Sequence, residues 1–264
     1  MTDDRKGANG SADGQAKTPI AITAKDALRA PLPKRFYKAA SVEPRDAGFA
    51  ILLDGRPVRT PAKNLFLVST AALAEAIADE WNAQGERIDP VTMPLTRLAN
   101  TALDAVADKM TEVADDIAGF AASDLLCYRA ETPEALVVRQ AEAWDPLLVW
   151  AKDALGADLA VRSGLMPIEQ PPHSVASVRS VLDRLDALSL AAAHVLTTLT
   201  GSAILAIAHL QGRLTLEEAW TAATVDERWQ SEQWGRDAEA EARAAERLAE
   251  ATAAARCLRL LRSR

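Results

Sequence analysis

Hydrophobic positions in this chain follow two different periods. Between Phe36 and Val68, short apolar runs are separated by turn residues, whereas from Leu95 onward apolar residues recur at the three- and four-residue spacing of helices. The stretch from Trp81 to Val106, which includes Met93-Pro94-Leu95-Thr96-Arg97-Leu98-Ala99-Asn100-Thr101, is the joint between the two regimes.

In the first regime, Phe36-Tyr37 opens an extended strand running through Val42, because aromatic and β-branched side chains suit a pleated, half-buried surface. Gly48-Phe49-Ala50-Ile51-Leu52-Leu53 is a second strand. Asp54-Gly55 supplies the positive φ of a two-residue hairpin turn, and Pro57-Val58-Arg59-Thr60 returns antiparallel to it. Leu65-Phe66-Leu67-Val68 follows another turn. Thr70 caps a helix over 71–84 whose Leu73, Ile77 and Trp81 lie four residues apart on one face, and Gly85 stops it.

In the second regime, Pro94 occupies the first turn of a helix with Leu95, Leu98, Ala102, Ala105 and Val106 on its apolar side, and Val113, Ile117 and Phe120 continue the stripe. Thr132-Pro133-Glu134 starts the next helix with cap, proline and acid in order; Asp145-Pro146 restarts or kinks it, and Gly156 closes it. Residues 166–172, with three prolines, form a loop; 174–188 and 189–210 are helices, the second bent at Gly201-Ser202. Thr215-Leu216-Glu217-Glu218 is a capping box opening a long helix through Trp234, interrupted at Gly235 before an Ala, Glu and Arg-rich tail. The fold class is therefore α+β. A disordered tail over 1–33 precedes a small β-rich domain with one helix over 34–93, a helical bundle domain over 94–255 and a frayed tail over 256–264.

Composition narrows the function classes. With 264 residues, 49% of them hydrophobic, the chain can bury one large core or two modest ones. A formal net charge of −7 gives no general attraction to phosphate backbones or anionic membranes, so nucleic acid is not an expected partner. The apolar run from Ala187 to Leu210 is interrupted by His194, Thr197, Thr198, Thr200, Gly201, Ser202 and His209, which fits buried helices rather than stable membrane insertion. Cys127 and Cys257 have no paired spacing and are expected as reduced thiols. The N-terminus has no apolar signal core and carries early acids, so the expected location is cytoplasmic.

Candidate chemistry is sparse. His173, His194 and His209 share no helix turn with a second ligand, and no Gly-rich phosphate loop or nucleophile elbow is present, so neither metal nor cofactor is expected. The last long helix is more informative. At helical spacing Trp220, Glu227, Gln230 and Trp234 share an arc of about 80°, while Trp229 lies on the other side. Either one tryptophan face is available to a partner, with Glu227 as the acidic group that sets register, or the helix is central to the bundle and covered on both sides. At the joint, Trp81, Arg97 and Asn100 are structural candidates, the last two fixing the β-rich part to the bundle through hydrogen bonds. An alternative reading makes Arg97, Asn100 and Asp104 the lining of a small-molecule enzyme site in an interdomain cleft.

Several motifs taken together resemble a known family. Arg35-Phe36-Tyr37-Lys38, Leu53-Asp54-Gly55-Arg56-Pro57, Glu80-Trp81, the Met93 to Thr101 stretch, Asp124-Leu125-Leu126-Cys127-Tyr128-Arg129, Trp144-Asp145-Pro146-Leu147-Leu148 and Glu227-Arg228-Trp229-Gln230 look like the ATP synthase assembly chaperones that attend the α subunit of the catalytic head. The resemblance covers roughly residues 34 to 240. It implies a non-catalytic, ATP-independent chaperone, a monomer when unbound, that holds free α subunit and covers its β-facing surface until the β subunit takes its place. It also implies a β-rich domain followed by a helical one, and places the family's acidic position on Glu227, with Asp226 the nearest alternative.

Overall fold

The computed structural model describes residues 32–164, 166–235 and 237–263. Residues Lys34–Arg264 pack as one compact unit. The expected disordered tail lies outside the described residues, apart from Leu32 and Pro33.

Strands β1 (Ala40–Arg45), β2 (Gly48–Leu53), β3 (Arg56–Pro57) and β4 (Leu67–Val68) form an antiparallel sheet in which β2 pairs with all three others. The hairpin between β2 and β3 turns at Asp54 and Gly55, both at positive φ (47° and 79°). The first strand starts later than its aromatic residues imply. The carboxylate of Asp54 accepts from the amides of Lys38 and Ala39, so those amides are withdrawn from the ladder. Helix α1 (Ala71–Asn82) is capped by Thr70 and buries Leu73 and Ile77 completely. It ends before Gly85 because Asn82 turns to bond both backbone groups of Ala40, extending β1 with its own amide.

Helices α2 (Pro94–Thr101) and α3 (Met110–Ala122), linked by a π turn, lead through a short strand β5 (Tyr128–Arg129) to α4 (Glu134–Trp150). Pro133 rather than Thr132 stands at the N-cap of α4, with no side-chain cap bond. The helix does not restart at Pro146: α4 is continuous through it. That residue and Glu142 are exposed, so the carbonyl lacking an amide partner is on a side where water can replace it. Strand β6 (Arg162–Ser163) pairs parallel with β5. Then come α5 (Pro172–Leu182), α6 (Ala187–Thr200), α7 (Ala203–Leu210), α8 (Leu216–Ala223), α9 (Val225–Trp234) and α10 (Ala238–Leu261). The long apolar run is thus two helices broken at Gly201, which is left-handed at φ 70°. No helix among the described residues is long and apolar enough to cross a membrane.

The frayed tail expected from residue 256 is instead the end of α10. Its first half, residues 238–250, is exposed, while Ala251, Ala254, Cys257 and Leu258 are buried. Apolar spacing concentrates in the last turns of α10, and those turns pack on the shared core.

Candidate partner-binding surface

At the joint, the residue that fastens the sheet side to the bundle is Glu80. It is 8% exposed, and its carboxylate accepts from the amides of Leu95 and Thr96 (both 2.8 Å) and from the Thr96 hydroxyl (2.7 Å). The first amides of any helix lack intrahelical acceptors, so a carboxylate delivered from α1 caps α2 across the joint. Gln84, also buried, ties the following loop by accepting from the Asp89 amide and donating to the Glu80 carbonyl. Arg97 and Asn100 do not fix the joint in the way anticipated from their position. Arg97 is exposed on the opposite side of α2 and meets Glu250 of α10 at 3.9 Å, while the Oδ1 of Asn100 is buried with no hydrogen-bond partner. Trp81 is half-buried, its ring edge-on to Tyr37 at 5.6 Å.

The enzyme alternative loses its geometry. The groove of about 400 Å³ beside α2 is lined by Arg97 and His194 but by neither Asn100 nor Asp104. Asp104 points the other way, accepting from Thr60, the Ala62 amide and Asn64. Among the described residues no group of three His, Cys, Asp or Glu side chains could hold a metal ion.

Two buried acidic and thiol groups stand nearby in sequence. Asp124 is fully buried between α3 and α7, where desolvation pushes its pKa up to about 6 against hydrogen bonds from Ser202 and the amides of Ile204, Leu126 and Ala203. Burial, reinforced by the Asp124 charge, pushes the Cys127 thiol up to about 12. Asp124 caps the start of α7 through the Ile204 amide (3.1 Å), a structural duty for part of the family-like motif.

The tryptophan arc does not survive as drawn, because the helix carrying it is broken. Trp144 is fully buried and its indole donates to the carbonyl of Ala222 (2.8 Å), the group that would otherwise accept from Asp226. Thr224 leaves helical geometry there, its hydroxyl donating to the Trp220 carbonyl (2.8 Å). Trp220 is consequently on α8, half-buried beneath the guanidinium of Arg247 and packed against the core, apart from the residues of α9.

Helix α9 divides its side chains sharply. Asp226 faces inward and accepts from Gln140 (2.7 Å), whose own oxygen takes the Ala130 amide. Trp229 lies under Arg139, which also bonds Glu232 (2.8 Å), so three residues clamp α9 to α4. Glu227, Gln230 and Trp234, at spacing three and four, are exposed on the outward face, Trp234 to 79%. The Glu227 carboxylate has no hydrogen-bond or ion-pair partner among the described residues. Its one evident structural benefit is its place in the first turn, where a negative charge favours the helix N-terminus. The pattern that could have revealed the break was Thr224 followed by Val225-Asp226-Glu227, a helix-start composition within an otherwise helical run.

Comparison with known proteins agrees with this architecture. The family model described as ATP12 chaperone protein matches residues 34–152. The chain is 45% identical to the crystal structure of Atp12 from Paracoccus denitrificans, with TM-score 0.84, covering 87% of this chain and 99% of that one. A protein of known structure from Agrobacterium tumefaciens is 48% identical with TM-score 0.85, over 94% of this chain and 93% of that one. The mitochondrial protein atp12 of Schizosaccharomyces pombe is 27% identical over 221 residues, 78% of this chain and 76% of its own length. The chain belongs to the ATP12 chaperone family.

Proposed function

We propose that this chain serves ATP synthase assembly by binding free α subunit and covering its β-facing surface until the β subunit replaces it. The observation that carries this reading is the outward face of α9. A tryptophan left 79% exposed, on the same helix face as a carboxylate with no partner among the described residues, is well suited as an anchor at a partner interface. The same helix is clamped to α4 through Asp226, Trp229 and Glu232, so the face is held ready without being ordered at the moment of binding. Glu227, Gln230 and Trp234 make the contact. Asp226 positions the helix, and Trp220 belongs to its support. In this reading the chain is monomeric when unbound, needs no ATP, catalyses no reaction and works in the cytoplasm.

The physical logic is that of a temporary cover. A free subunit exposes a large apolar surface and aggregates, so its holder must bind with moderate affinity and yield to the permanent partner. The test is a pull-down of purified α subunit on the immobilised chain. Glu227→Lys and Trp234→Ala should each reduce retention at least tenfold, about 1.4 kcal/mol, with melting within about 4 °C of the parent. Undiminished retention by both variants would remove α9 from the contact.

A further inference from the structure

The family-like motifs Arg35-Phe36-Tyr37-Lys38 and Leu53-Asp54-Gly55-Arg56-Pro57 have no part in the surface just described. They meet in a pocket of about 520 Å³ whose lining includes Phe36, Tyr37, Asp54, Arg56, Arg59 and Trp81. Its aromatic wall is rigid. Phe36 sits edge-on to Tyr37 at 5.4 Å, Tyr37 edge-on to Trp81 at 5.6 Å, and the Tyr37 hydroxyl donates to the Trp81 carbonyl at 2.7 Å. Arg35 locks the base, its guanidinium 4.7 Å from the Tyr37 ring centre and bonded to the carbonyls of Tyr37, Lys38, Asn82 and Gln84.

Three groups around this pocket have nothing to do in the isolated chain. Phe36 is 74% exposed although its ring is already held in place. The side chain of Arg56 is exposed and makes no hydrogen bond or ion pair with any described residue. The Trp81 indole nitrogen is buried without an acceptor. A single exposed phenylalanine is ordinary, but an exposed ring, an unpaired cation and an orphaned donor on one pocket are not. The local charge selects the occupant. The one lining carboxylate, Asp54, is held below the usual carboxylate range by its bonds to the Ala39 and Lys38 amides and is thereby spent. Arg59 uses one nitrogen on the Lys63 carbonyl (2.9 Å) and leaves the rest of its fork available.

We infer that this pocket is a second docking point, taking an extended acidic peptide segment of the client whose carboxylate pairs with Arg56 and Arg59 and whose adjacent apolar side chain rests on Phe36. The inference builds on the α-subunit reading above and gives the chain two separated holds on its client. A weak charged hold and a weak apolar hold on one polypeptide multiply through effective concentration while each remains easy to release. Arg56, at the rim, acts chiefly on the association rate and its salt dependence, whereas Phe36 acts on dissociation.

The experiment uses the full chain and purified α subunit, with binding followed by surface-immobilised kinetics at low and high salt. Arg56→Glu should slow association about tenfold at low salt and flatten the salt dependence, with Arg56→Lys restoring most of both. Phe36→Ala should speed dissociation several-fold. Both side chains are exposed, so melting temperatures should match the parent and confirm folding. A photo-cross-linking p-benzoylphenylalanine placed at Phe36 should attach to a client segment containing Asp or Glu. Rates within twofold of the parent for Arg56→Glu and Phe36→Ala, or attachment to a segment without acids, would overturn the pocket and leave the α9 surface standing. Failure of the unaltered chain to bind α subunit would overturn the functional reading itself.

Discussion

Glu80 makes a quantitative test of how the two halves are joined. Its carboxylate takes two backbone amides and one hydroxyl at the start of α2, all at 2.7–2.8 Å, on a side chain that is buried. Hydrogen bonds to a charged acceptor are worth about 1.5–3 kcal/mol each, and a buried amide left without an acceptor costs about 1–3 kcal/mol. Glu80→Ala removes all three bonds and strands the Leu95 and Thr96 amides, so a loss of about 4 kcal/mol is expected after partial relaxation. At roughly 2–4 °C per kcal/mol for a domain of this size, melting should fall by about 10 °C. Glu80→Gln keeps one acceptor oxygen and should lose about half as much, while Thr96→Val, which deletes only the hydroxyl bond, should cost about 1 kcal/mol. Urea unfolding of the single and double variants gives the coupling between them, expected near 1 kcal/mol. Asn100→Ala is the contrast, and with its Oδ1 unpartnered it should cost under about 1 kcal/mol. A Glu80→Ala chain melting within about 2 °C of the parent would refute the claim that this carboxylate caps α2 across the joint.

Other expectations follow from single residues. Because burial raises Asp124 from 3.8 to about 6, its protonated form is favoured by folding. That contribution is complete below pH ~4 and is lost as pH rises through about 6, on the order of 3 kcal/mol in all. Urea unfolding between pH 4.5 and 7.5, compared with Asp124→Asn, should show this slope in the parent and a flatter one in the variant; parallel profiles would contradict it. Gly48 has φ +140°, and an added Cβ would meet the Val68 carbonyl oxygen at 2.5 Å, so Gly48→Ala should cost more than about 2 kcal/mol by thermal unfolding. Burial pushes the Cys127 and Cys257 thiols up to about 12, so a thiol reagent at pH 8 should label neither until the chain is unfolded.

The elements were legible in the sequence wherever a local signal decided them. Asp54-Gly55 fixed a hairpin, Thr70 a helix start and Thr215 with Glu218 a capping box, because each supplies its own backbone partner or dihedral within four residues. What escaped was decided by groups far away in sequence. The helix break at Thr224 depends on Trp144 taking the carbonyl of Ala222, 78 residues further on. Glu80 was visible as part of a Glu-Trp pair, but only folding brings it to the amides of α2, 15 and 16 residues on. The candidate surface was half legible for the same reason. Glu227, Gln230 and Trp234 share a face whose spacing lies within one helix, whereas Trp220 was assigned to that face by assuming a continuous helix. Asp226 was separated from Glu227 only by the position of Gln140, which no local pattern announces.

The most direct test of the central claim is light scattering of free α subunit at a temperature where it aggregates, with the chain added in equimolar amount and β subunit added afterwards. The account predicts that scattering stays low with the chain, that Glu227→Lys fails to hold it low, and that added β subunit displaces the chain into solution. Scattering by the α subunit that rises as fast with the unaltered chain as without it would contradict the account.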